Sequence, residues 1–141
     1  MELHRCINFL LSAAQHTVFQ CLKEELAPYD ITPGQYGVLN CLWVHQELSP
    51  KQIGELLVLE ASSVSSILDR MQKSGLINRD INPDSRRNIL VSATEKGKAL
   101  KKPVEQIVDD INRQVMRGFS KNEQEFLIGA LTSISKQQLK A

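Results

Sequence analysis

The chain is short of most features that would set it apart from ordinary globular proteins. Its 17 Lys and Arg nearly cancel 16 Asp and Glu, leaving a formal charge of +1, so it is no polycation that coats nucleic acid indiscriminately. No apolar run approaches the ~18 residues a membrane span needs. The start lacks a secretory pattern, because Glu2 opens it and Asn8, Ser12 and Gln15 interrupt its apolar positions. Three cysteines, an odd number with no C-x-x-C pair, argue against a disulfide framework and for a reducing cytoplasm. His4, His16 and His45 are scattered, with no Cys or carboxylate at ligand spacing, so no metal or other cofactor is expected. A nucleophile elbow, a phosphate loop and a spaced acid pair are all missing, which leaves no catalytic residues and no enzyme reading.

What is present is one domain's length, 141 residues with 42% hydrophobic and 23% charged content, enough for a real core. The charge is unevenly spread. Residues 61–102 hold nine Lys and Arg against four Asp and Glu, a local +5, and the remainder carries −4. A basic middle between acidic flanks points to a local anionic partner.

Leu3, Ile7, Leu10, Ala14, Thr17 and Cys21 recur at helical spacing, with Leu11, Val18 and Leu22 alongside, a stripe of roughly 25 residues ended by Pro28. The apolar sector is wide enough for burial on two sides, by the protein's own core and by a partner chain; a lone core helix is the alternative. Thr32-Pro33-Gly34-Gln35 and Ser49-Pro50-Lys51-Gln52 are two helix starts, each a capping box with proline at the first helical position. Val38, Leu39, Leu42 and Trp43 face inward from the first, and Ile53, Leu56 and Leu57 from the second.

Residues 61–74 form a further helix, with Val64, Ile67, Leu68 and Met71 on one side and Ser62, Ser66 and Lys73 opposite. Ser63, Ser65, Asp69 and Arg70 flank them. Gly75 suits a left-handed cap, and 76–79 and 88–92 read as strands around the turn chemistry of Asn82-Pro83-Asp84-Ser85. The loop of that hairpin would expose Arg86 and Arg87. Two short helices and a hairpin make a winged helix-turn-helix. Thr94 then caps a long helix striped by Leu100, Val104, Ile107, Val108, Ile111, Val115 and Phe119, which Pro103 bends or interrupts. Ser120-x-x-Glu123 opens a last helix with Phe126, Leu127, Leu131 and Ile134.

With ITPGQYGVLNCLW, ASSVSSILDRMQKSGLINRD and NPDSRRNILVSATEKG in this order, the chain resembles the MarR family of bacterial winged-helix transcriptional regulators, most strongly over residues 31–97. The fold class expected is mainly α with a small β-hairpin wing, as one domain over 1–141. The resemblance implies dimerisation helices at 1–30 and 103–141 and a DNA-binding lobe at 31–102, with a helix-turn-helix at about 51–75 and a wing at about 76–92. It further implies a cytoplasmic homodimer that binds double-stranded DNA at an imperfect palindrome. A repressor is the expected sense, released by a small aromatic or phenolic effector. One position departs from the family's wing, where Ser85 stands in place of the usual aspartate before two basic residues.

The expected DNA contacts are Ser62, Ser63, Ser65, Ser66, Arg70 and Lys73 on the recognition helix, Arg86 and Arg87 in the minor groove, and Lys51 and Arg79 as backbone anchors. Asp69 either accepts from a cytosine amine or braces Arg70 or a wing arginine. Lys96, Lys98, Lys101 and Lys102 read as a solvated face. His16, Tyr36 and Trp43 are candidates for an effector pocket, although aromatics on amphipathic helices commonly serve the core. Cys6 raises oxidant sensing, but the family's sensor position aligns nearer Asn8. Cys6 and Cys21, about 22 Å apart on one helix, cannot pair within the chain, so inert buried thiols are preferred. The rival readings are a protein-interaction winged helix without DNA binding and a cysteine-based oxidant sensor.

Overall fold

The computed structural model describes the backbone of all 141 residues and every side chain except those of Asn82, Ser85, Arg86 and Arg87. After a 3-10 turn at Leu3–Arg5, the elements are α1 (Ile7–Leu26), a second 3-10 turn (Ala27–Tyr29), α2 (Pro33–His45), β1 (Glu47–Leu48), α3 (Pro50–Leu57), α4 (Ala61–Lys73), β2 (Ile77–Asn82), β3 (Ser85–Ala93), α5 (Glu95–Ala99), α6 (Lys101–Met116) and α7 (Lys121–Ser135). The three predicted capping boxes are formed at Thr32, Ser49 and Ser120, each side chain accepting from the backbone N–H three residues on.

The core lies within the lobe. Val38, Leu39 and Leu42 of α2, Ile53 of α3 and Val64, Leu68 and Met71 of α4 close on Leu76, Ile77 and Val91 of the sheet, with Leu26 and Val104 sealing the side towards the terminal helices. Gly54 lets α3 approach the start of α4: a β carbon there would lie 3.1 Å from the Leu59 carbonyl oxygen and 3.3 Å from Val64. Leu56, expected to face inward, is 49% exposed. An eight-residue helix offers only one buried stripe, and Ile53 and Gly54 occupy it.

The sheet has the order β1-β3-β2, antiparallel throughout. Strand β1 was not expected, because two residues carry no periodicity. It pairs Glu47 with Ser92 and Leu48 with Val91. The hairpin is longer than the sequence suggests: Asn82 pairs directly with Ser85, and the register shifts between Ile81 and Asn82. The backbone of Arg86 and Arg87 therefore belongs to β3, at the register shift, and not to the connecting loop.

The long helix expected after Thr94 is two helices. Thr94 caps α5 by accepting from the Gly97 N–H, α5 ends at Ala99, and α6 begins at Lys101. Pro103 explains the break, since its ring collides with the carbonyl four residues back, that of Ala99.

The terminal helices leave apolar side chains uncovered. α7 buries no residue, and Phe126 is 76% exposed. Leu3, Ile7, Phe9 and Leu10 are likewise exposed at the start of the chain, as are Val115 at the end of α6 and Phe119 just beyond it. Among the described residues, no helix is long and apolar enough to cross a membrane.

Candidate nucleic-acid interface

Helix α4 is held by its apolar side and offers its polar side outward. Val64, Leu68 and Met71 are buried, whereas Ser62, Ser63, Ser65, Ser66, Arg70 and Lys73 are all exposed. Small hydroxyls fill the first two turns and cations the last two, so the backbone can approach an opposing surface closely at the N-terminal end. Glu60 provides no side-chain cap there, leaving the first N–H groups of the helix to other acceptors. Lys51, in the first turn of α3, is exposed nearby and lines a cleft with Ser65, Leu68, Arg79 and Ile89 between the helix-turn-helix and the hairpin.

Arg79 differs from its neighbours. Its side chain is 26% exposed, its Nη2 donates to Asp69 Oδ1 at 2.7 Å, and its Nε donates to Gln72 Oε1 at 2.7 Å. Asp69 thus braces an arginine of the wing, Arg79, as one of the two expectations had it. The side chains of Arg86, Arg87 and Ser85 lie outside the described residues; Asp84 is exposed in the turn.

The C-terminal end of α4 is tied to α5. Gly75 adopts φ +78°, and its carbonyl accepts from Thr94 Oγ1 at 2.6 Å. Lys96, expected to be solvated, donates from Nζ to the Ser74 carbonyl at 2.8 Å, which satisfies an orphan acceptor of the helix end. Lys98 pairs with Glu95 at 3.6 Å on the surface.

The three expected effector residues are not assembled into one pocket. Trp43 donates from Nε1 to the Gly97 carbonyl at 3.1 Å, and its ring lies 6.3 Å from that of Tyr36. Trp43 lines a polar groove with Leu42, Asn78, Ser92, Thr94 and Lys98, in which Tyr36 and His16 take no part. His16 is exposed on α1. Burial raises the Tyr36 pKa, and the charges of Glu105 and Asp109 add to the shift. Of the cysteines only Cys41 is buried; Cys6, at the N-cap of α1, and Cys21 are partly exposed. The expectation of buried thiols therefore holds for Cys41 alone in this chain.

A helix-turn-helix followed by a hairpin, with the second helix polar outward, defines a winged-helix protein. Comparison with known proteins narrows this class. The MarR family model matches residues 31–89. The organic hydroperoxide resistance transcriptional regulator of Bacillus subtilis is 37% identical over 101 residues, covering 72% of this chain and 69% of that protein. Among solved structures, a cysteine-to-serine mutant of MarR from E. coli complexed with operator DNA aligns with a TM-score of 0.84 at 25% identity, over 91% of this chain and 92% of that one. CouR from Rhodococcus jostii, bound to p-coumaroyl-CoA, aligns with a TM-score of 0.86 at 25% identity, over 100% and 99%. The chain belongs to the MarR family and is a transcriptional regulator, not an enzyme.

Proposed function

We propose that the chain is a cytoplasmic, homodimeric repressor that reads an imperfect DNA palindrome with α4 in the major groove and Arg86 and Arg87 of the wing in the minor groove. The observation that carries this reading is the outward face of α4, where four serines, Arg70 and Lys73 are exposed on a helix locked from behind. The E. coli MarR structure with operator DNA supports it at the level of the whole fold. A homodimer joined through the uncovered apolar sides of α1, α6 and α7 would present two α4 helices to DNA, one per half-site. The CouR complex with p-coumaroyl-CoA, a thioester with a phenolic acyl group, supports response to an effector that carries an aromatic ring.

Salt titration of binding to a DNA fragment selected from genomic DNA tests the reading. Wild-type affinity falls steeply between about 50 and 200 mM salt through counterion release. Replacing Arg86 and Arg87 together by alanine weakens binding and flattens the salt slope by up to ~2 units. An unchanged slope removes the wing from the mechanism. Salt-insensitive wild-type binding favours a protein-interaction module.

A further inference from the structure

We propose that Asp69, Gln72 and Arg79 form a clamp that sets the angle between the recognition helix and the wing, so that Asp69 and Arg79 position the DNA-reading surface and do not themselves contact DNA. This rests on the DNA-binding reading above. Along β2, Ile77, Arg79 and Ile81 share one face. Ile77 is 1% exposed against the core and Ile81 is 66% exposed, so Arg79 is the last inner-face residue of β2 to meet α4. On α4, Asp69 and Gln72 are three residues apart and neighbours on one flank. They take the Nη2 and Nε groups of the same guanidinium, each at 2.7 Å. Two acceptors on one planar group fix its orientation as well as its position. The Nε edge that would grip a phosphate in two-point fashion is thereby used within the protein. The pairing also neutralises Asp69, whose carboxylate would otherwise bring a lone negative charge to a helix facing phosphates. The clamp thus ties β2, the first strand of the wing, to the helix that enters the major groove.

The test measures binding of a fragment selected from genomic DNA, at several salt concentrations, for Asp69→Asn, Arg79→Gln, Arg79→Lys and the double variant Asp69→Asn/Arg79→Gln, with circular dichroism to verify folding. The clamp predicts that each single substitution weakens binding by about tenfold and that the double is no worse than either, the non-additivity of groups in one network. It also predicts that Arg79→Lys, which keeps the charge but loses the two-point grip, behaves like Arg79→Gln. The loss caused by removing Arg86 and Arg87 then shrinks in a clamp variant, because a misaligned wing has less to lose. A phosphate-contacting Arg79 gives a different pattern, which overturns the clamp: Arg79→Lys binds as wild type, Arg79→Gln lowers the salt slope by ~1, and Asp69→Asn leaves affinity unchanged or higher. Asp69→Asn changing the preference at one base pair alone also overturns it, in favour of a base contact. Wild-type protein that retains no genomic fragment overturns the DNA-binding reading itself, an outcome distinct from either pattern.

Discussion

Gly97 in α5 lies so close to Leu76, just past the end of α4, that a β carbon built on it would stand 2.4 Å from the Leu76 carbonyl oxygen. That oxygen already accepts from the Thr94 N–H at 3.0 Å, and the Gly97 carbonyl accepts from Trp43. The end of the recognition helix and the first helix after the wing therefore meet backbone to backbone at Gly97, with α2 joined to the same residue through the Trp43 indole.

Gly97→Ala is expected to destabilise the fold by about 1–3 kcal/mol or more, the usual range for overpacking, and to weaken DNA binding by displacing the end of α4. Urea denaturation reads the first effect and the genomic fragment the second. Stability equal to wild type would show that α5 can move away from Leu76 without cost.

Val58 closes α3 with φ 56° and ψ 50°, a left-handed conformation that a β-branched residue adopts only under constraint. Its side chain is 69% exposed, so little packing compensates. Val58→Gly is expected to raise stability by about 1 kcal/mol, most of the left-handed penalty less the entropy cost of glycine. Thermal denaturation checks the sign. A lower midpoint would show that the Val58 side chain contributes more to the turn than its exposure implies.

Burial lifts the Cys41 thiol above its ordinary value of 9.0 and the Tyr36 phenol above 10.0. In both, the native state keeps a proton that the unfolded chain has released. Their contribution is complete below the unfolded values and is lost as pH rises through the folded ones. Stability should be insensitive to these two groups at neutral pH and fall in the alkaline range, which urea midpoints between about pH 8 and 11 would record. Cys41 should resist iodoacetamide in the native protein and react once unfolded. Rapid native alkylation at Cys41 would contradict the burial.

Much of this architecture is local and was therefore legible in the chain. Capping boxes at Thr32, Ser49 and Ser120 act within four residues, and each was formed where its residues stand. The apolar side of α4 follows from helical period alone, because Val64, Leu68 and Met71 recur at spacings of four and three. Pro103 announced an interruption by its own ring. The two-residue strand β1 was invisible, since its only signal is its partner, β3.

The harder distinctions were among residues of like chemistry. Lys96 and Lys98 both read as solvated, yet one closes the end of α4 and the other pairs on the surface. Arg70 and Arg79 both read as DNA contacts, yet one is exposed and the other is gripped by Asp69 and Gln72. Side-chain type and helical or strand period, both short-range properties, were enough to specify the elements, their order and the outward face of the recognition helix. Which charges are free for DNA and which are spent inside the protein depended on separations between residues 7 to 22 apart in sequence. Only folding sets those distances, because each depends on how the hairpin and α5 pack against α4.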